Sequence, residues 1–466
     1  MGTQKQKMTH DSLNYSLSIR NNQLYIEECN VTELARQFGT PLFVVSENHL
    51  RYNLRQYQNI FKQYWPEGDV KIMPSIKASP VIAVRKILSQ EGAGCDVFGS
   101  GELEAAIRGD TPPELISVNG SIKDNDIIRR SIELGSTIVL DSPRELEICQ
   151  QHADALKKNA RIMLRIKPYM SELEVSSDYV PDQKIRDLTQ TIKYGIPSSE
   201  LFTMLKRIPE LTNIDLVGIH AHMGRQSKKG EVWQAWVKSF VELTKEVSLA
   251  LGGWQPQELN LGGGFPSLPD QDTDVSIKGY RGPSLEELAS IITTELRKEL
   301  TRTKLKSEGL TLSLEPGRGI HCDTGIHLSS VKNIKEERHT INHKWAEVDT
   351  SQMFLGIGGA NFNNNKFELV VANKASAEKT CKIDIVGKTC NLEILFYQEP
   401  APKLEVDDII ALLNTGSYIE PCAQNFNALP RPGMILVHDG EAVWIKRHET
   451  VEDVFSRDIT PNHLQP

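Results

Sequence analysis

Between residues 70 and 315 the chain alternates eight short apolar runs with stretches of helical periodicity, and this alternation limits the fold more than any other feature. The runs are VKIMPSI (70–76), GCDV (94–97), LISV (115–118), TIVL (137–140), RIMLRI (161–166), DLVGIHA (215–221), ELNL (258–261) and TLSLE (311–315). Between them lie PVIAVRKIL, GELEAAIRG, DNDIIRRSIELG, SPRELEICQQHADAL and WQAWVKSFVELTKEVSLAL, where apolar residues recur at three- and four-residue spacing. Pro80 and Pro143 stand where a first helical turn accepts proline. Eight β/α units are the count of a TIM-type (β/α)8 barrel, the doubly wound open sheet being the alternative.

After about residue 322 the pattern changes to strands and turns without long helices, in KFELVVA, CKIDIVG, EILFYQE, DIIALLN and MILVHDGEAVWIKR. This reads as an all-β domain. LSIRNNQLYIEE, near the start, reads as a hairpin across Asn21-Asn22 that can join the same sheet. The expected division is an N-terminal segment over 1–47 joining the β-domain, a barrel over 48–321 and a C-terminal β-domain over 322–466.

Composition narrows the partners. The 466 residues carry a formal charge of −8 with no basic tract, so nucleic acid and anionic membranes are not expected. No window reaches the roughly 18 uninterrupted apolar residues of a membrane span, and MGTQKQKMTHDSLNYS lacks the apolar core of a signal peptide. A cytoplasmic protein is expected. Its seven cysteines are odd in number and widely spaced, with no Cys-x-x-Cys pair, which predicts reduced thiols and no metal site.

The unusual polar residues collect at the C-terminal ends of the predicted strands, the face on which a β/α barrel builds its site. Lys77 ends the first run, Asp96 and Ser100 follow the second, Asn119 the third and Asp141 the fourth. His222 follows the sixth, Gly262-Gly263-Gly264 the seventh, and Glu315-Pro316-Gly317-Arg318 the eighth. Each alone has an ordinary reading: a surface lysine, a packed histidine, a turn, a local ion pair. Together they fit one cofactor. An amine held at an apolar mouth attacks an aldehyde, successive glycine N–H groups and a guanidinium suit a phosphate, an imidazole stacks on a flat ring, and a carboxylate keeps a pyridine nitrogen protonated. That cofactor is pyridoxal 5'-phosphate.

The chain resembles the fold-type III pyridoxal-phosphate decarboxylases, the group of diaminopimelate and ornithine/lysine decarboxylases, over residues 24 to 460. The resemblance rests on GTPLFVVS (39–46), SIKAS (75–79), GAGCDVFGSGEL (92–103), NGSIK (119–123), VLDSPREL (139–146), KYGI (193–196), GIHAHMG (218–224), NLGGGFP (260–266), EPGRG (315–319), VGKTC (386–390), TGSY (415–418), NFNALPRP (425–432) and KRHETVEDV (446–454). It implies an alanine-racemase-like barrel with Lys77 carrying the cofactor, His222 stacking on its ring and Glu315 at its nitrogen. Gly262, Gly263, Gly264, Gly317, Arg318 and Tyr418 would hold the phosphate. It also implies a head-to-tail homodimer whose sites are completed by the partner's β-domain, and a role for Cys390 in protonating the decarboxylated carbon.

Four departures bear on substrate. Arg225 replaces the serine of the family's His-x-Gly-Ser, so it is expected to bind the phosphate or a substrate carboxylate. In Cys390-Asn391-Leu392-Glu393 an asparagine replaces the acidic neighbour of the cysteine and one residue is missing, which leaves Asn391 and Glu393 to meet the substrate's distal end. The stretch 351–371 has no arginine to grip a distal carboxylate, and Asp349-Thr350-Ser351 replaces an Asp-Ala-Gly-like turn. The cofactor apparatus is kept while the substrate wall is changed. The expectation is therefore a decarboxylase of a modified or conjugated amino acid, as in specialised-metabolite or siderophore pathways. The alternatives are decarboxylation of free meso-diaminopimelate, ornithine or lysine, racemisation through the same carbanion, and a regulatory protein that has lost catalysis.

Overall fold

The computed structural model describes residues 13–176, 183–224, 229–267, 283–356 and 367–465. They form two compact units, one spanning Arg51–Ile320 and the other Met1–Leu50 with His321–Pro466.

The first unit is a parallel barrel. Its strands are Val70–Ile72, Cys95–Val97, Ile116–Val118, Thr137–Leu140, Ala160–Arg165, Ile214–His220, Glu258–Asn260 and Thr311–Leu314. Six fall inside the apolar runs, and Ala160–Arg165 and Ile214–His220 each begin one residue ahead of theirs. Hydrogen bonding runs without a break from the second strand through to the eighth, and from the eighth to the first. Closure between the first and second strands is by the Ser75/Asp96 bridge and the Gly94 N–H donating to the Ile72 carbonyl at 3.0 Å. Because such strands are covered on both faces, they read as continuous apolar runs rather than alternating ones. Val139, Met163 and Val217 pack together as one buried cluster.

The helices lie where periodicity placed them, at Ile82–Gln90, Ser100–Arg108, Asn125–Leu134, Pro143–Leu156 and Gly230–Ala250. Local chemistry sets their ends. The Asp124 side chain accepts from the Ile127 N–H, and Gly135 closes the same helix in the left-handed region at φ 83°. Pro143 occupies the first turn of its helix as expected. Pro80 does not: the helix begins at Ile82, after Val81 as N-cap.

A second difference concerns Lys77. The first strand ends at Ile72, and Ile76–Ala78 is a 3₁₀ turn. Pro74 supplies no N–H to the ladder, so regular pairing lapses after Ile72 and the chain turns at the barrel mouth.

The second unit is built on a sheet whose order is Ile394–Ala401, Cys381–Val386, His343–Val348, Gly325–Glu337, Leu42–Ser46, Gly433–His438, Glu441–Lys446. Leu42–Ser46 pairs antiparallel with Gly325–Glu337 and parallel with Gly433–His438, so an N-terminal strand sits at the centre of a C-terminal sheet. The hairpin does turn at Asn21 and Asn22, with φ of 50° and 62°. It forms a separate three-stranded sheet with Cys29–Asn30 rather than joining the large one. Leu17, Leu24 and Ile26 nevertheless share a core cluster with Leu42, Val44, Leu328 and Ile435. The unit is not wholly β, because Val31–Phe38 is a two-turn helix capped by Asn30.

Gly218 lies at the register shift of the sixth barrel strand, where a Cβ would overlap the Glu258 carbonyl oxygen. Gly218→Ala should destabilise the barrel by about 1–3 kcal/mol, read as a lower unfolding midpoint in urea.

Candidate active site

Lys77 points from the 3₁₀ turn into the company of Asp96. Its Nζ donates to Asp96 Oδ2 at 2.7 Å and to Ser75 Oγ at 2.5 Å, and Ser75 Oγ donates to the same carboxylate. Asp96 is buried on the second strand, whereas the lysine side chain is 44% exposed. Burial alone would raise the Asp96 carboxyl. The Lys77 ammonium and the donors Ser75 and Asn119 outweigh it and hold that carboxyl well below the usual carboxylate range.

Across the mouth, Glu315 follows the eighth strand and is also buried. Its Oε1 accepts from Asn119 Nδ2 and Asn260 Nδ2, each at 2.7 Å, and its Oε2 faces His220 Nε2 at 3.2 Å. Every neighbour on Oε1 is a donor, so the carboxylate stands there as an acceptor only.

His222 lies between these groups and the glycine loop. The Gly263 N–H donates to its Nδ1 at 2.8 Å, which leaves the ring proton on Nε2. Burial, with the Arg165 and Lys77 cations, pushes its pKa well below the ordinary value. The imidazole is therefore neutral at pH 7.

The glycine triplet differs from expectation. The Gly262 N–H donates to Asn260 Oδ1 at 2.8 Å and the Gly263 N–H goes to His222, so two of the three amides orient side chains instead of opening toward a phosphate. Gly262 and Gly264 adopt φ of 65° and 101°. A Cβ on Gly264 would overlap the Gly224 carbonyl oxygen, and one on Gly263 would come within 2.5 Å of the Glu315 carbonyl oxygen. Glycine is thus required for the close approach of three loops. Gly317 is buried beside it, and Arg318 opens the short helix Arg318–His321. Ser100, exposed, is the first residue of Ser100–Arg108. Arg225 lies outside the described residues.

Asp141 serves the same rim indirectly. It accepts the Gly195 N–H at 2.7 Å and lies 3.8 Å from Arg165, whose guanidinium stacks 4.7 Å over the Tyr194 ring.

The second unit carries the other expected residues. Tyr418 is half-buried, with φ 62°. Cys390 is exposed, and Asn427 grips it twice: the Cys390 N–H donates to Asn427 Oδ1 at 3.1 Å, and Asn427 Nδ2 donates to the sulfur at 3.4 Å. Asn391 is half-buried. Glu393 is buried and turned into its own loop. Its carboxylate accepts from Ser351 Oγ at 2.7 Å and from the Thr389 hydroxyl.

Sequence reasoning passed over His220, Asn260, Arg165, Tyr194 and Asn427 as working residues. A signal existed for two of them. His220 and His222 are two apart on a strand end and so share a face, and Asn260 directly precedes the glycine loop.

A lysine amine, a buried carboxylate linked to its acidic partner through Asn119, and a neutral imidazole beside the glycine loop form a set that fits pyridoxal phosphate: amine to aldehyde, carboxylate to ring nitrogen, uncharged ring to ring face. The class so defined is the pyridoxal-phosphate β/α-barrel enzymes. Residues 47–321 match the family model described as "Pyridoxal-dependent decarboxylase, pyridoxal binding domain". The chain belongs to the pyridoxal-dependent decarboxylase family. It is similar to the diaminopimelate decarboxylase of Methanocaldococcus jannaschii, with 29% identity over 463 residues, covering 97% of this chain and 98% of the relative. It is also similar to the diaminopimelate decarboxylase of Synechocystis, with 29% identity covering 96% and 92%. The crystal structure of the M. jannaschii enzyme in complex with L-lysine superposes with a TM-score of 0.85 at 27% identity, covering 97% of this chain and 99% of that one. The protein is a pyridoxal-phosphate-dependent amino-acid decarboxylase.

A histidine with a depressed pKa leaves the unfolded chain binding more protons in acid. The barrel should therefore lose stability as pH falls below about 6.5, and His222→Gln should flatten that part of the curve. Thermal unfolding of the apoprotein across pH checks this.

Proposed function

We propose that this decarboxylase acts on a free diamino acid, with meso-diaminopimelate as the first candidate. The carrying observation is that relatives bearing that name align with it from end to end, at 97% and 98% coverage in the case of M. jannaschii. The reading displaces a modified or conjugated amino acid as the first choice. That second reading keeps one specific support: Glu393 is committed to its own loop and Asn391 stands where an acid is expected, so the Cys390 loop offers no carboxylate to a distal amine.

Bound pyridoxal phosphate supplies an electron sink conjugated to the substrate's α-carbon. In this reading Lys77 would hold the cofactor through its side-chain nitrogen, and Asp96, 2.7 Å from that nitrogen, would keep it in place as an ammonium whenever it is not so engaged. Glu315 would meet the ring nitrogen, and the neutral Nε2–H tautomer of His222 would lie against the ring without adding charge. Gly264, Gly317, Arg318, Tyr418 and Arg225 are assigned to the phosphate. When the bond to the carboxyl group breaks, CO₂ leaves, its electron pair remains at Cα, and the Cys390 thiol delivers the proton there. A single donor on one face suits decarboxylation rather than racemisation.

The assembly proposed is a homodimer in which each partner's Cys390 loop serves the other's barrel. Its support is the family resemblance together with large apolar side chains left open on the second unit, Leu392 at 90% exposure and Tyr397 at 71%. A cytoplasmic location is consistent with seven free thiols.

Borohydride reduction of the holoenzyme should fix the cofactor to the peptide containing Lys77, and Lys77→Ala should abolish both the adduct and CO₂ release. Equal mixing of Lys77→Ala and Cys390→Ala subunits should restore roughly a quarter of wild-type activity, because half the dimers are mixed and each of these has one intact site. Failure to complement overturns the shared site. In a CO₂-release panel, meso-diaminopimelate should exceed lysine and ornithine by about a hundredfold in kcat/KM. Turnover of an N-acylated or peptide-linked substrate with the free acids inert would reverse the choice.

A further inference from the structure

Asn119 has no part in the mechanism above, yet it occupies the centre of the site. Its Nδ2 donates to two different carboxylates, Asp96 Oδ1 at 2.7 Å and Glu315 Oε1 at 2.7 Å. A single amide nitrogen is all that lies between those oxygens. Asn119 is 4% exposed, Asp96 3% and Glu315 4%. Two carboxylates so close in an interior of low dielectric repel strongly, and without a device between them they come to share a proton.

The surroundings are arranged around that problem. An asparagine amide carries two N–H groups, one for each acid. Its oxygen points the other way, accepting from Ser117 Oγ at 3.2 Å, so the reversed amide would set a carbonyl against both acids and lose the Ser117 bond. The remaining contacts of the two acids are made separately. Lys77 and Ser75 donate to Asp96 Oδ2, Asn260 shares Glu315 Oε1, and His220 faces Glu315 Oε2. The result is one continuous line of hydrogen bonds from Lys77 Nζ through Asp96, Asn119 and Glu315 to His220.

We infer that Asn119 is a positioning residue that separates two carboxylates with unlike tasks, so that the acid anchoring Lys77 and the acid assigned to the ring nitrogen stand side by side. It touches neither the reacting carbon nor the amine. Its contribution is to let both acids occupy one mouth, so that an ammonium anchor and a ring-nitrogen partner coexist at opposite ends of one cofactor. The functional half of the inference rests on the role proposed for Glu315. The electrostatic half stands on the apoprotein alone.

The two halves are tested separately. In the apoprotein, thermal unfolding is measured for wild type, Asn119→Leu, Glu315→Gln and the double variant at neutral pH. Glu315→Gln should leave Tm unchanged or lower it when Asn119 is present, and raise it by about 3 °C or more when residue 119 is leucine, because it then relieves an unscreened repulsion. The same shift in both backgrounds would mean that Asn119 is merely packed there, and would overturn the inference. If the leucine variant does not fold, Asn119→Ala carries the same cycle. In the holoenzyme, Glu315→Gln and Asn119→Leu should both displace the visible absorption of bound pyridoxal phosphate in the same direction. A reversed Tm effect with an unmoved band for Glu315→Gln removes the role of Glu315 at the ring and leaves Asn119 as the separator.

Discussion

The contact on which the barrel unit depends is the one between Ser75, Lys77 and Asp96. Regular pairing on the first strand lapses after Ile72, ahead of Pro74, and the Ser75/Asp96 bridge helps bring the first strand to the second. The same Asp96 carboxylate receives Lys77. Closure of the sheet and placement of the amine are therefore one event. A lysine at the end of an apolar run is not a defect of the strand: burying Asp96 requires a cation, and the 3₁₀ turn after Pro74 delivers one while leaving the side chain 44% exposed.

From that contact the polar interior extends across the mouth without a gap. Asp96 leads to Asn119, Asn119 to Glu315, and Glu315 to Asn260 and His220. Asn260 in turn takes the Gly262 N–H and His222 takes the Gly263 N–H. The glycine loop thus orients Asn260 and His222, groups that would lie around a cofactor ring. Buried polar groups of this density are tolerated because nearly all are met by a partner of opposite hydrogen-bonding sense, His220 Nδ1 being the exception in this network.

Much of this was open to reading from the residues. The eight strands and the five helices followed from periodicity, and His222 and Glu315 lie just past their strands as polar residues at strand ends suggested, whereas Lys77 sits on a 3₁₀ turn beyond the end of its strand. Local rules located Asn21-Asn22 as a turn and Pro143 as a helix start. They failed where a remote partner decided the outcome. Nothing local to Glu393 marked Ser351, forty-two positions earlier, as its partner. Gly262 and Gly263 looked like open amides, but Asn260 and His222 take their hydrogens. Asn427 carried no signal of its own, and it holds Cys390 from thirty-seven positions away.

The sequence by itself determined the parallel β/α pattern and pointed to the cofactor, because these depend on residue type and spacing along one chain, and its motifs carried the resemblance to the family. Only the tertiary structure decided which polar groups face one another: that Asp96 and Glu315 share the amide of Asn119, that His222 is neutral with its proton on Nε2, and that an N-terminal strand, Leu42–Ser46, lies at the centre of the C-terminal sheet. The reason is physical. Hydrogen-bond partnership and like-charge repulsion act across a few ångströms of space, and residues 96, 119 and 315 become neighbours only when the sheet has closed.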